Sequence, residues 1–254
     1  MAQKKTIPKP DPKALEADLQ TLKLRFCLTE YPSLAKQAAE QQWPHEQYLE
    51  ALMQGEALAL KDRQLKRRLQ QAKLPFIKTL EQFDWTWPAE INELQIKHLF
   101  RLNFIKDQVN VIFMGGVGLG KSHLSTALGH QACLKGYTAL FASAVEIINN
   151  LSAAQQSGRL KQELRRYQRP DVLIVDELGY LPVDKRGADL LFQVISERYE
   201  QGSIIVTTNK AFSEWAEIFN GDSTLTSAVL DRLLHHSETA IIKGKSYRMK
   251  DRMD

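Results

Sequence analysis

The stretch NVIFMGGVGLGKSHLS, residues 110–125, decides the fold of this chain. Its apolar run at 111–114 predicts a strand that is buried on both faces. The next eight residues, 115–122, match the phosphate-loop pattern G-x-x-x-x-G-K-S/T in full. Apolar residues at helical spacing follow from Leu124 and predict a helix whose N-terminus points at an anion. A strand, a glycine loop and a helix in this order predict a site for nucleotide phosphates, and they disfavour the alternative of an ordinary glycine-rich turn.

Each residue type in this loop has a chemical role. The glycines let backbone N–H groups wrap a phosphate, because several positions need torsions that a Cβ would forbid. We expect Lys121 to act in catalysis by reaching the outer phosphates of ATP, and the Ser122 hydroxyl to bind Mg²⁺. The predicted nucleotide-binding residues of the loop are Gly115, Gly116, Val117, Gly118, Leu119, Gly120, Lys121, Ser122 and His123.

Composition limits the classes of protein that this chain can belong to. It has 254 residues, of which 43% are hydrophobic, which is enough for one large domain or for a small and a larger one. No apolar run approaches the roughly 20 residues that cross a bilayer, and no apolar segment follows the basic N-terminus, so neither a membrane span nor a secretory signal is expected. Cys27 and Cys133 lack paired spacing, which predicts a reduced, cytoplasmic protein.

The chain before the phosphate loop is predicted to form three segments. Residues 1–13 are rich in Lys and Pro and are expected to be a disordered tail. Helical periodicity predicts a small all-helical domain over 14–73, with a short helix after Pro32 and a long one ending near Ala72. Residues 74–90 are expected to be a linker that lies on the second domain. The predicted anchors of this linker are Phe76, Phe83, Trp85 and Trp87.

Residues 91–254 are expected to form the phosphate-loop domain. Besides the strand at 110–114, strands are predicted at 137–142, 172–175, 203–208 and 239–242. Helices are predicted at 91–104, after the loop, from 144, and at 188–199, 212–219 and 227–235. This alternation predicts an α/β fold with a parallel sheet that helices cover on both faces. The ligand is then expected at the carboxyl ends of the strands.

Polar residues at two of these strand ends complete the predicted chemistry. Asp176 and Glu177 directly follow the third strand. We expect Asp176 to hold Mg²⁺ with Ser122, and Glu177 to polarise a water for attack on the γ-phosphate. The alternative is a surface pair of acids. Asn209 follows the fourth strand, where its amide would contact the γ-phosphate and the water, or would serve only in a turn.

Arg232 and the two following histidines lie in a predicted helix and at its end. Apolar neighbours on one face of the helix would direct Arg232 outward, which suits a catalytic finger that enters a neighbouring subunit. The alternative is an ion pair on the helix surface with Asp231 or another acid. His235 and His236 have no matching acid or cysteine spacing, and we interpret them as structural.

Two basic segments predict contacts with DNA. The net charge of +4 permits a nucleic-acid partner without requiring one. The clustering of basic residues in two segments is the stronger indication of such a partner. One segment lies between Lys61 and Lys73 and the other between Arg159 and Arg169. Contacts to phosphates and to DNA shape are expected, since no base-reading motif is present; solvated helix faces are the alternative. The predicted DNA-binding residues are Arg63, Lys66, Arg67, Arg68, Lys73, Arg159, Lys161, Arg165 and Arg166.

Three segments resemble a known family. They are GGVGLGKSHLSTALG at 115–129, the stretch from DVLIVDELGY to FSEWAEIF at 171–219, and VLDRLLHHSETAIIKGKSYRMKD at 229–251. They are similar to the IstB family, which comprises the AAA+ ATP-binding helper proteins of insertion-sequence transposition and is related to DnaC-type helicase loaders. The family often has prolines and a Thr in the loop, where this chain has Gly116, Val117, Leu119 and Ser122.

The resemblance implies an AAA+ core of the ASCE type without a C-terminal helical lid. It implies ATP and Mg²⁺ as cofactors, assembly into rings or spirals on double-stranded DNA, and a transposase encoded by the same element as partner. It assigns Asn209 as first sensor, Arg232 as the finger acting in a neighbour, and Arg248 as a nucleotide-binding second sensor.

The predicted function is therefore a DNA-stimulated ATPase that oligomerises on duplex DNA, bends the target and recruits a transposase. Two alternatives remain at this point: a replicative helicase loader of the DnaC type, and a nucleotide-gated DNA-binding switch with little turnover. A pull-down with each partner separates the first alternative, and DNA-stimulated phosphate release separates the second.

Overall fold

The structure, a computed structural model, describes residues 11–247. The described chain divides into two compact units between residues 66 and 67, and the domain boundary expected at 73 stays a prediction. Residues 1–10 of the predicted tail lie outside the described residues. The first helix, α1 (Pro12–Thr21), begins inside the predicted tail, because the Asp11 side chain caps it and Pro12 suits a first turn.

The first unit consists of helices. After α1 come α2 (Arg25–Glu40) and α3 (His45–Ala72), and α3 continues past the boundary between the units. The prediction of a short helix after Pro32 was wrong, since α2 runs through Pro32. At the start of this helix, Glu56 accepts hydrogen bonds from the N–H groups of Phe26 and Cys27, at 2.7 and 3.1 Å, and so stabilises the first turn.

The second unit contains a five-stranded sheet in the order β2-β3-β4-β1-β5. All neighbouring strands pair in parallel, which confirms the predicted sheet. The strands are β1 (Asn110–Gly115), β2 (Ala139–Ser143), β3 (Val172–Leu178), β4 (Ser203–Thr208) and β5 (Ser237–Ile242). Since β4 lies between β1 and β3, the end of β4 lies between the phosphate loop and the predicted acids.

The helices of this unit follow the predicted alternation with three corrections. They are α4 (Glu93–Leu99), α5 (Asn103–Lys106), α6 (Lys121–Leu134), α7 (Ala144–Gln156), α8 (Leu160–Gln168), α9 (Lys185–Arg198), α10 (Trp215–Ile218) and α11 (Ser223–Leu234). The helix predicted at 91–104 is broken in two, because buried Leu102 adopts a left-handed φ of 63°. The helix predicted at 212–219 is a 3-10 turn followed by α10. Helix α11 starts at Ser223 rather than at 227, because the Asp222 side chain caps it there.

Helices cover both faces of the sheet, as predicted. Leu173 and Val175 of β3 belong to a core cluster that also includes residues of α7, α8, α9, α10 and α11. Ile174, between them, faces the other way: its Cδ1 lies 2.6 Å from the position that a Cβ on Gly129 of α6 would take. Successive side chains of a strand point to opposite faces, so α6 covers the second face.

One buried arginine fixes the edge of the sheet where β3 and β4 begin. Arg198, at the end of α9, is 1% exposed. Burial lowers its pKa to about 10, so it stays charged near neutral pH. Its guanidinium donates to five backbone carbonyls, those of Tyr167, Gln168, Pro170, Asp171 and Ser203. This side chain therefore ties the end of α8 to the starts of β3 and β4.

Strand β5 closes the order of named elements in the described chain. Strand β5 is the last α-helix or strand up to residue 247, and residues 248–254 lie outside the description. None of the helices among residues 11–247 has the length and apolar character needed to span a bilayer.

Candidate nucleotide-binding site

The phosphate loop connects β1 to α6 and is enclosed on two sides. Gly118 and Gly120 have left-handed φ values of 74° and 84°, which favour glycine. A Cβ on Gly118 would lie 2.1 Å from the Ser246 hydroxyl oxygen, and one on Gly120 would lie 2.5 Å from the Phe83 ring. Glycine is therefore required at both positions by backbone conformation and by close packing.

A cavity of about 570 Å³ opens beside this loop, at the carboxyl ends of the strands. This volume lies within the usual range for small-molecule sites, about 300–1,000 Å³. Six of the predicted nucleotide-binding residues, 118–123, line the cavity, whereas Gly115, Gly116 and Val117 form the part of the loop before it. Arg248, the predicted second sensor, lies outside the described residues.

Three side chains meet at the predicted metal position. The Ser122 hydroxyl donates to Asp176 Oδ1 at 3.0 Å, and the Thr207 hydroxyl donates to the same oxygen at 2.5 Å. Asp176 is 7% exposed. A hydroxyl and a carboxylate that face a phosphate loop supply the oxygen donors that Mg²⁺ prefers, so these residues fit the ion.

Glu177 enters the cavity through an irregularity in β3. Neighbouring side chains on a regular strand point to opposite faces, yet Asp176 and Glu177 both line the cavity. The pairing of β3 with β4 shifts register between Val175 and Leu178, and Glu177 has a left-handed φ of 59°. This bulge turns the exposed Glu177 carboxylate toward the site. The predicted end of the strand at 175 was therefore too early.

Thr207 is the residue that sequence reasoning missed. Its hydroxyl donates to Asp176 and also accepts a hydrogen bond from the Glu177 N–H at 2.9 Å. It is 1% exposed. One buried hydroxyl thus orients both acids. The signal in the sequence was a pair of threonines, at 207 and 208, that ends an otherwise apolar strand.

Lys121 contacts its own loop in this structure. Its ammonium group donates to the carbonyls of Gly115 and Gly116 at 2.7 and 2.6 Å. These carbonyls hold the positive charge of Lys121 at the N-terminus of α6. The lysine charge and the helix dipole both favour an anion there.

The linker and the chain after β5 contribute aromatic side chains to the lining of the cavity. Trp87 donates from its ring N–H to the Lys245 carbonyl at 2.8 Å and packs edge-on against Tyr247. Tyr247 in turn donates its N–H to the Gly118 carbonyl at 2.8 Å. Of the predicted anchors, Phe83 is buried, but Phe76 is 42% exposed and lines the cavity. The prediction that Phe76 anchors the linker was wrong, since this ring is left open to the cavity.

His123 joins the linker to the phosphate-loop helix. Its ring Nε2 lies 2.9 Å from the Thr79 carbonyl, and its ring packs edge-on against Phe83. Burial lowers the pKa of His123, with a further lowering by Lys78 and a partial offset by the Thr79 contact. A neutral imidazole that donates from Nε2 to Thr79 accounts for this geometry.

Comparisons with known proteins agree on one family. The family model described as IstB-like ATP binding protein matches residues 17–254. The chain is 42% identical to the insertion sequence IS21 putative ATP-binding protein of Pseudomonas aeruginosa, over 94% of this chain and 89% of the relative. The chain belongs to the IstB-like family. It is also 40% identical to the insertion sequence IS5376 putative ATP-binding protein of Geobacillus stearothermophilus, over 87% of this chain and 88% of that relative.

Solved structures share the fold of this IstB-like protein. The crystal structure of DnaI has a TM-score of 0.56 at 15% identity and covers 65% of this chain and 91% of its own. AMPPCP-bound DnaA from Aquifex aeolicus has a TM-score of 0.55 at 21% identity, with coverage of 71% and 56%. The DnaC helicase loader has a TM-score of 0.52 at 22% identity, with coverage of 65% and 96%. These likenesses confirm the predicted AAA+ fold.

Two further residues predicted in the IstB-like site lie away from the cavity wall. Asn209 is exposed directly after β4. Arg232 is half-buried, and its guanidinium carbon lies 4.7 Å from the centre of the Phe192 ring, while its NH1 donates to the Ala228 carbonyl at 3.1 Å. In this structure the aromatic ring of α9 attracts the Arg232 cation, and the catalytic role of Arg232 stays a prediction.

The predicted DNA-binding residues fall into two groups by exposure. Three are half-buried and contact other parts of the protein: Arg63 pairs with buried Glu56 at 2.7 Å, Arg68 donates to the Cys133 carbonyl, and Arg166 pairs with Glu163. The others have exposed side chains. They are Lys66, which pairs with Asp62, and Arg67, Lys73, Arg159, Lys161 and Arg165.

Proposed function

We propose that this IstB-like protein binds ATP with Mg²⁺ in the cavity and hydrolyses it to ADP and phosphate. The observation that carries the proposal is the contact of Ser122 and Thr207 with one oxygen of Asp176, directly beside the phosphate loop. The names of the relatives, which describe ATP-binding proteins of insertion sequences, support the same nucleotide.

The chain's own groups supply the proposed chemistry. Lys121 and the loop N–H groups hold the outer phosphates, and Ser122 and Asp176 would hold Mg²⁺, which neutralises phosphate charge when bound. Glu177 orients a water and takes its proton as the water oxygen bonds to the γ-phosphorus. The bond from that phosphorus to the bridging oxygen breaks, and ADP is the leaving group.

Assembly of several copies completes the proposed site. We infer that Arg232 leaves Phe192 and enters the site of a neighbouring subunit, where its charge stabilises the transferring phosphoryl group. Asn209 would contact the γ-phosphate from its exposed position after β4. Nucleotide binding and ring or spiral formation are therefore coupled in this proposal.

Exposed basic side chains support a role on duplex DNA. Arg67 and Lys73, together with Arg159, Lys161 and Arg165, present cations that suit contacts to phosphates. We propose that the assembled protein binds and bends target DNA and recruits the transposase of the same element. Bending a site costs on the order of a few kcal/mol, which many phosphate contacts in one assembly would offset.

Phosphate release with and without duplex DNA tests the proposal. We expect DNA to stimulate release by the wild-type protein, and Glu177→Gln to bind ATP but to release no phosphate. Particle images with and without ATP and DNA test the assembly, with Lys121→Ala as the variant that should not assemble. Normal release by Glu177→Gln would contradict the catalytic role, and assembly without nucleotide would contradict the coupling.

A further inference from the structure

Glu200, His235 and His236 bring three metal-ligating side chains together within residues 11–247. One ligand atom from each lies within 4.8 Å of the others, and all three side chains are exposed. The sequence interpretation of the two histidines as structural rested on the lack of a matching acid. Folding supplies this acid, because the turn after α9 comes close to the end of α11.

The cluster lies at the opposite edge of the sheet from the nucleotide cavity. Glu200 precedes β4, and His236 directly precedes β5. Both are at the amino ends of parallel strands, whereas the phosphate loop and Asp176 are at the carboxyl ends. The cluster is therefore separate from the proposed Mg²⁺ position.

The backbone holds the ligands on both sides of the cluster. The N–H groups of Gln201 and Gly202 donate to the Arg198 carbonyl at 3.0 and 3.3 Å, which closes the turn around Glu200. Glu200 has a left-handed φ of 55°, which an L-residue adopts only where its surroundings require it. On the other side, the His236 carbonyl accepts from the Asn110 N–H at 2.8 Å.

Two contacts of the histidine rings bear on which ring nitrogens can bind a metal. His235 Nδ1 lies 2.9 Å from the Tyr199 hydroxyl, so its Nε2 is left for a ligand. His236 Nε2 lies 3.7 Å from a carboxylate oxygen of Glu200. A metal-bound histidine usually donates its second ring N–H to an oxygen of a carboxylate, a backbone carbonyl or a water, and the Tyr199 hydroxyl oxygen lies at this position beside His235.

We propose that Glu200, His235 and His236 bind a divalent transition-metal ion of the Zn²⁺ class. Two imidazoles and a carboxylate suit Zn²⁺, Co²⁺ or Ni²⁺, whereas Mg²⁺ prefers oxygen ligands. Bonds of about 2.0–2.1 Å require the ligand atoms to approach more closely than 4.8 Å, and exposed side chains can rotate to do so. Three ligands leave a fourth position for water or for a group from outside the chain.

Calorimetric titration of the full chain with ZnCl₂, without a polyhistidine tag or nucleotide, tests this site. We expect saturation at one Zn²⁺ per chain, and at least a tenfold weaker affinity in Glu200→Gln, His235→Gln and His236→Gln. Tyr199→Phe should weaken binding about tenfold, since it removes only the partner of His235. His98→Gln, which changes an exposed histidine of α4, is the matched control and should bind as the wild type does.

Two results of the titration would overturn the proposal. One is the absence of saturable Zn²⁺ binding by the folded wild-type protein. The other is an equal affinity in the wild type and in Glu200→Gln, which would mean that the carboxylate is no ligand. Visible absorption of bound Co²⁺ gives a second measurement: bands of a four-coordinate ion in the wild type and their loss in His236→Gln support the site, and identical spectra contradict it.

Discussion

Replacing Thr207 by Val tests the arrangement of the two acids most directly. Valine keeps the shape of threonine but removes the hydroxyl that donates to Asp176 at 2.5 Å and accepts from the Glu177 N–H at 2.9 Å. A hydrogen bond to a charged group contributes about 1.5–3 kcal/mol, and leaving a buried partner unsatisfied costs a similar amount. If this loss raises the activation free energy of hydrolysis by the same amount, turnover should fall by about 10- to 150-fold.

The assay is steady-state ATP hydrolysis at varied Mg²⁺, together with binding of a fluorescent ATP analogue. We expect Thr207→Val to need more Mg²⁺ for half-maximal rate and to turn over slowly, with nucleotide affinity changed much less. Thr207→Ser, which keeps the hydroxyl, should recover most of the rate.

Thr208→Val is the matched control for this experiment. Thr208 is equally buried at the same strand end, at 1% exposure, but its hydroxyl accepts from the Lys210 N–H and contacts neither acid. Equal rates and equal Mg²⁺ dependence in the two valine variants would refute the reasoning, because burial alone would then explain both.

Three further predictions concern stability, pH and DNA. Arg198→Met leaves five carbonyls without their donor and should lower the free energy of unfolding by at least about 3 kcal/mol, measured by urea denaturation; an unchanged midpoint would contradict this. The pKa of His123 is lowered by burial, so its contribution to stability is complete above the ordinary histidine pKa and is lost as the pH falls from there through the lowered pKa of the folded state. The wild type should therefore lose more stability than His123→Asn between about pH 7.5 and 5.5, and parallel curves would contradict the assignment. Neutralising Arg159, Lys161 and Arg165 together, each to Gln, should lower the salt dependence of DNA binding by about 0.9 for each phosphate that these side chains neutralise in the wild type, and an unchanged slope would exclude α8 from the interface.

Local chemistry was enough to predict the phosphate loop and the parallel sheet. The glycine pattern at 115–122 and the apolar run before it each have one simple physical explanation, and the two agree. Strand β4 was predicted with its observed limits, Ser203–Thr208, because a fully apolar run ending in polar residues leaves little freedom. Asp176 and Glu177 were singled out from the sequence in the same way, because they directly follow an apolar strand.

Long-range contacts decided what the sequence could not. The first turn of α2 is stabilised by Glu56, far along the chain, which accepts hydrogen bonds from two of its N–H groups. Arg232 is half-buried because α9 places Phe192 beneath it. In both cases the partner is remote in sequence, and periodicity carries no information about it.

The sequence by itself determined where the phosphate-loop pattern and the two acids Asp176 and Glu177 stand, since the loop and the acids follow strands whose apolar pattern is unambiguous. Only the tertiary structure decided how these groups meet. The strand order inserts β4 between β1 and β3, and this places Thr207 against Asp176. The same fold brings Glu200 to His235 and His236 at the opposite edge. The physical reason is that a sheet joins residues by strand order, which depends on packing over the whole unit rather than on neighbouring residues.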